Sequence, residues 1–340
     1  MGTLYWLDQP EILAAQKAYH FHIYAAYPQR EEWELDTDCG PKRLVRFKDP
    51  DLLRWSYLWR EILAKRGLRQ VDRFILTQDR QAYLSFQEDF LVVKDWVEGA
   101  ALDFSQEWHW RILGTGLAKL HDALKEGWRQ MAGGQLVPKH PPFFTEHLSK
   151  LPYYFRLLQK KNVLLASLLV SQWSLLLKRC RLAQTYFRKG EASLYHSITF
   201  PTLRLYQWKL VADRYLAFEG TMDGPVYGLK GVADLVRRLW VRFAPKRKEW
   251  RLFWEAFQTH YPLSQPMKYH LLAFFVVPEE ILSFISQYVY FLERGLIENE
   301  RLFYRRWKRL VKGQEHLDRL ALWFGQWLKE AKEDDHAALA

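Results

Sequence analysis

The chain has 340 residues, enough for one large or two modest domains, and nearly half are apolar, so a sizeable core can form. Aromatic residues make up 16%, including 16 tryptophans, which excludes a largely disordered chain. The net charge of +11, from 50 basic and 39 acidic residues, fits either a plain basic surface or an anionic partner such as nucleotide phosphate, nucleic acid, an anionic polymer or an acidic protein.

The opening MGTLYWLDQPEIL has no basic segment followed by a long apolar core, so no secretory leader is expected. Pro10–Tyr19 predicts a short helix with Glu11 in its first turn. Strands are expected at Phe21–Tyr27, Trp33–Thr37 and Arg43–Phe47, with turn chemistry at Asp38-Cys39-Gly40-Pro41. His20 and His22 would share a strand face, but no further ligand spacing accompanies them. Cys39 and Cys180 lie far apart and no C-x-x-C occurs, which supports neither a zinc knuckle nor a redox pair. Pro50 opens a helical pattern, with Leu52, Trp55, Trp59, Ile62 and Leu63 on one side and Gly67 closing it. Further strands are expected at Phe74–Thr77, Ala82–Phe86 and Phe90–Val93.

The stretch Leu91–Leu124, LVVKDWVEGAALDFSQEWHWRILGTGLAKLHDAL, organises the rest of the chain. Leu91–Val93 reads as a strand, Asp95–Gly99 as a polar linker ending in glycine, and Gln106–Leu124 as a helix. The helix carries Trp110, Leu113, Leu117, Leu120 and Leu124 at helical spacing. This unit resembles the hinge of the aminoglycoside phosphotransferase and choline kinase-like superfamily, through a W-x-x-G motif at Trp96–Gly99 and an L-a-x-L-H pattern at Leu117–His121. Within that superfamily it is most similar to the spore coat proteins of the CotS type, YutH-like members included. The resemblance implies an α+β, two-lobed protein-kinase-like fold. Residues 1–94 would form the small antiparallel-sheet lobe, 95–99 the hinge, 100–333 a mainly helical large lobe and 334–340 a disordered tail.

Active kinases of that superfamily need a lysine on the strand corresponding to Arg43–Phe47, held by an acid on the next helix. Here that position is taken as Arg46. Between Pro50 and Gly67 the acids are Asp51, early for the pairing, and Glu61, late for it. Arg46 is thus either a remnant phosphate contact or a solvated strand charge. Lys94, Asp95 and Trp96 join it as remnants of a nucleotide cleft.

Beyond the hinge helix the Gly- and Pro-rich GWRQMAGGQLVPKHPP reads as a loop. Helices are then expected at Phe144–Gln159, Val163–Arg188, Val232–Phe243, Lys248–His260, Lys268–Phe275, Pro278–Glu293 and Glu298–Glu330. The longest uncharged run, Asn162–Leu177, is short of the roughly 20 residues that span a bilayer, so no membrane span is expected. Between the helices, LYHSITFPTL at Leu194–Leu203 falls where the superfamily has its H-G-D-x-x-x-x-N catalytic loop. With His196 on the histidine and Pro201 on the proline, Ile198 takes the catalytic aspartate position and Leu203 the metal-binding asparagine. Neither side chain can accept a proton or hold magnesium. Phe218 falls on the second metal-binding acid, with Glu219 and Asp223 as weak metal candidates if the register slips, and Asp234-Leu235 resembles the D-L motif further along the family's sequence. LYHSITFPTL could equally be an unrelated strand and turn. The expected cleft is lined by Arg46, Lys94, Trp96, Ile198, Leu203 and Phe218 and partly filled by apolar side chains.

These residues imply a catalytically inert pseudokinase, with no cofactor, no catalytic residue and no metal site. The family resemblance implies a structural role in the spore coat, made in the mother-cell cytoplasm and partnered by other coat proteins or an anionic polymer. Two alternatives stay open: an atypical small-molecule phosphotransferase using ATP and magnesium, and a basic nucleic-acid-binding protein, for which no recognised module appears. Two basic, aromatic stretches could dock a partner: Arg237–Arg251, and Arg301–Lys312 with Arg305, Arg306 and Arg309 on its cationic face. Each could also be the solvated face of a packed helix.

Overall fold

A computed structural model describes residues 8–29, 32–68, 71–131, 144–161, 163–190, 198–199, 208–212, 215–218, 226–227, 229–297 and 299–337. The chain divides into two compact units, one of residues 1–135, 200–225 and 247–262, the other of residues 136–199, 226–246 and 263–340.

The first unit is built on a five-stranded antiparallel sheet. Its strands are β1 (Ile23–Gln29), β2 (Glu32–Thr37), β3 (Lys42–Phe47), β4 (Leu84–Phe86) and β5 (Asp89–Asp95), in the order β1-β2-β3-β5-β4. Helix α1 (Pro10–Ala18) lays Ile12 and Ala15 against Leu35, Leu44, Leu91 and Val93. Helix α2 (Pro50–Lys65) has proline in its first turn, and the Asp49 side chain caps it by accepting from the Asp51 and Leu52 amides. Gly67, at φ +80°, takes the left-handed turn that ends it. Leu53 of α2 packs with Val45, Phe47, Phe74 and Val92. The two central strands therefore bury both faces, which is why Leu91–Val93 is apolar without alternation. The expected strand at Phe74–Thr77 does not form a ladder. Phe74 makes one isolated bridge to Lys94, and the Ile75 amide donates to Val93 O, so this segment rides beside β5 rather than joining the sheet.

Helix α3 (Glu107–Met131) buries Trp110, Leu113, Leu117, Leu120 and Leu124. It packs closely on α8 (Arg247–His260), where Gly114 faces the backbone of Phe253. A small sheet of β6 (Ala100–Ala101), β8 (Trp208–Val211) and β9 (Tyr215–Phe218), in that order, completes the unit.

The second unit is mainly helical, with α4 (Phe144–Gln159), α5 (Leu164–Ser171), α6 (Trp173–Gly190), α7 (Lys230–Phe243), α9 (Gln265–Val276), α10 (Glu279–Glu293) and α11 (Glu300–Ala337). One short pair, β7 (Ile198–Thr199) with β10 (Val226–Tyr227), runs antiparallel. The single helix expected over Val163–Arg188 breaks at Gln172, and Trp173 turns into the core against Phe155, 5.1 Å between ring centroids. Helix α11 continues to Ala337, into the stretch expected as a disordered tail. Asp234 receives Lys230 at 3.0 Å, and Lys230 also reaches Glu279 at 3.2 Å, so the D-L pair joins a half-buried ion cluster through Asp234 and the core through Leu235. Among the described residues no single helix is long and apolar enough to cross a membrane.

Candidate functional site

Strand β5 ends at Asp95, four residues link it to β6, and β6 pairs with β8. The glycine of W-x-x-G has a physical cause here: a Cβ on Gly99 would sit 2.7 Å from Leu210 O and 3.0 Å from Lys209 Cβ. Only glycine lets the linker press onto β8. Beside this linker lies a cavity of about 570 Å³ lined by Lys42, Arg73, Asp95, Trp96, Tyr215 and Ala217 among others.

The cavity carries mixed charge, and both of its cations are already paired. Lys42 Nζ reaches Asp95 Oδ1 at 3.1 Å, and Arg73 Nη2 reaches Glu61 Oε1 at 2.9 Å. The Arg43 guanidinium lies 4.5 Å and the Lys209 ammonium 4.9 Å from the Trp96 ring centroid, both within cation–π range. Lys209 Nζ also donates to the linker carbonyl of Val97 at 2.8 Å. The hinge backbone is thus held by the chain's own lysine.

Of the four expected cleft remnants, Asp95 and Trp96 line this cavity; Arg46 and Lys94 do not. Val45 and Phe47 face α2, so by strand alternation Arg46 points to the opposite side of the sheet. There its Nε donates to Asp89 Oδ2 at 2.5 Å, in an exposed pair, and no acid of α2 can reach it. Arg43, not Arg46, shares the α2 face. Lys94 is fully buried, with Nζ on Asp72 Oδ2 at 3.0 Å, and cannot meet a phosphate in the cavity.

Lys94 belongs to a buried triad that sequence reasoning missed. Arg60 of α2 donates through Nη2 and Nε to Asp72 Oδ1 at 2.8 and 3.0 Å, and through Nη1 to Ser56 O at 2.8 Å. Burial pulls the Arg60 guanidinium below its ordinary value, and the Asp72 carboxylate opposes that shift. The α2 carboxylate Glu61 pairs with Arg73, and what this helix contributes to the Lys94 triad is a cation. The acid of the triad comes instead from the segment after the helix.

Strand β9 contributes Tyr215, Leu216, Ala217 and Phe218. Ala217 faces the cavity, whereas Phe218 is buried between Trp59 and Trp208, with ring centroids 5.6 and 5.4 Å away. Phe218 is therefore a core residue, and the cavity-facing position is one residue earlier. The Phe218 carbonyl also accepts from the Asp72 amide at 3.3 Å, tying β9 to the triad segment. Ile198 is described only as backbone, in the β7–β10 pair; His196, Leu203, Glu219 and Asp223 lie outside the described residues. Among the described residues no three His, Cys, Asp or Glu side chains converge as a metal site would require.

No family profile and no curated protein matches the sequence. Solved structures do match. An aminoglycoside phosphotransferase from Alicyclobacillus acidocaldarius superposes with a TM-score of 0.74 at 14% identity, covering 92% of this chain and 95% of its own. A spectinomycin phosphotransferase, solved with ADP and spectinomycin, gives 0.59 at 12% identity over 94% and 100%. A choline kinase from Cryptosporidium parvum gives 0.52 at 12% identity over 94% and 99%. The chain has the fold of the aminoglycoside phosphotransferases and choline kinases. The five-stranded antiparallel sheet and the mainly helical remainder are the kinase-like architecture of these neighbours. At these identities the likeness is one of fold.

Proposed function

We propose that this protein is a catalytically inert kinase-fold scaffold, a structural component of the spore coat rather than a phosphotransferase. The observation that carries the first half is β9: the side chains it turns into the hinge cavity are Tyr215 and Ala217, and none of its four residues is acidic. Phosphoryl transfer depends on charge neutralisation and on a base that orients the acceptor. Isoleucine at position 198 in the loop alignment supplies no such base. The occupied Val97 carbonyl and the Lys94 buried on Asp72 point the same way. The second half rests on the CotS-type resemblance of the hinge motifs, which also makes acidic coat proteins or an anionic polymer the partners and the spore coat the location.

Purified protein with magnesium, ATP and a panel of hydroxyl and amine acceptors should release no ADP above blank. Titration with Mg-ATP should give no magnesium-dependent heat. A fluorescent fusion in a sporulating host should collect on the forming spore. Acceptor-dependent ADP release that disappears on Glu219→Gln or Asp223→Asn would replace this reading with an atypical phosphotransferase.

A further inference from the structure

A second cavity, of about 270 Å³, lies in the first unit between α3 and the β8–β9 hairpin. Its floor is aromatic and apolar: Trp208, Leu216 and Phe218 are each at most 8% exposed. Its rim comes from α3, where Arg111, Thr115 and Lys119 recur at intervals of four and so stand on one stripe of the helix. Neither Arg111 nor Lys119 has an ion-pair partner among the described residues, and none of the described lining residues is acidic. The indole Nε1–H of Trp208, a side chain only 2% exposed, also has no hydrogen-bond partner among the described residues.

We propose that this cavity is a binding site for a compact aromatic carboxylate. The flat apolar body would lie on Trp208, Leu216 and Phe218, and the carboxylate would face Arg111 and Lys119. Three features select that class together. Ligand pockets are mostly apolar with a few placed polar groups. Two unpaired cations favour one anionic head. A space of about 270 Å³ suits a ligand of one or two rings. The site adjoins the hinge cavity through Val71 and Tyr215, which line both, but it does not depend on whether that cavity takes a nucleotide.

The test is titration of the full chain with 2-naphthoate, monitored by calorimetry and by the Trp208 indole N–H resonance, assigned by its loss in Trp208→Phe. One-to-one binding that shifts this resonance is expected. The neutral isostere 2-naphthylmethanol should bind about tenfold more weakly or worse, and so should 2-naphthoate to Arg111→Gln/Lys119→Gln. Both exchanged side chains are exposed, so the unfolding midpoint of that variant should match wild type. Absence of binding, binding without a Trp208 shift, or undiminished binding to the double variant overturns the proposal. So does binding lost in Arg73→Gln but kept in the double variant, which would place the ligand in the hinge cavity.

Discussion

Asp72 accepts from Arg60 and Lys94, and all three side chains are withdrawn from solvent. One carboxylate thus serves two cations, with the Arg60 guanidinium also 4.1 Å from the Trp59 ring centroid and 5.1 Å from that of Phe74. Asp72→Asn would leave two buried cations facing a neutral amide. Breaking a buried pair from one side costs about 3–5 kcal/mol, because the remaining charge is uncompensated. Chemical denaturation should show that loss as a lower midpoint with an unchanged slope. Replacing the whole triad with Met, Leu and Met should recover most of the loss, since apolar side chains of similar volume remove the unpaired charges as well. A triple variant as unstable as the single one would show that the loss does not come from uncompensated charge. Nothing in the local pattern announces such a triad. A lysine at the end of β5 and an arginine inside an amphipathic helix both read as surface charges until the fold brings Asp72 between them.

Helix α3 shows what periodicity can deliver. Trp110, Leu113, Leu117, Leu120 and Leu124 stand on the buried face that their spacing requires. Its partner is specified by a smaller signal, Gly114, where a Cβ would lie 2.3 Å from the Phe253 carbonyl oxygen of α8. Gly114→Ala should therefore force the two helices apart and cost about 1–3 kcal/mol, the usual range for overpacking. Gly325→Ala on α11, where a Cβ would meet nothing within 4 Å, should instead hold or raise the melting temperature through better helix propensity. Equal losses at both positions would mean that the close approach at Gly114 does not set the seam. The same contrast explains which elements are legible in the sequence. Proline and aspartate at the start of α2, and the W-x-x-G linker, carry local chemistry that survives into the fold. The face of Arg46 is not legible, because Leu44 and Val45 are both buried and alternation alone cannot say which side α2 covers. The place of Phe218 differs from expectation for a similar reason. Leu216, Ala217 and Phe218 are all buried, so the cavity-facing residue is marked only by the cavity itself.

At the scale of the whole molecule, the excess of positive charge is distributed unevenly, and the two basic stretches part company. Arg237 is buried, donates to Val277 O at 3.1 Å and pairs with Glu280, so it stabilises the end of α9 and is withdrawn from any partner. Lys248 pairs with Glu107 at 2.8 Å and Arg251 with Glu255 at 2.6 Å. On α11, Trp307 turns into the core while Arg305, Arg306 and Arg309 are exposed; Arg306 reaches Gln287 at 2.6 Å, a neutral side chain. A face of this kind attracts acidic proteins or an anionic polymer over roughly a Debye length, about 8 Å at physiological salt. Arg305→Glu/Arg306→Glu/Arg309→Glu reverses that field without touching the buried side of α11. The variant should melt within about 0.5 kcal/mol of wild type, as surface exchanges usually do. If the face docks the protein onto the coat, a fluorescent fusion of the variant should stay dispersed while wild type collects on the forming spore. Normal recruitment of the folded variant would reduce these arginines to a solvated helix face. Wild-type binding to duplex DNA or RNA that weakens steeply with salt, and vanishes in the variant, would assign the face to nucleic acid instead.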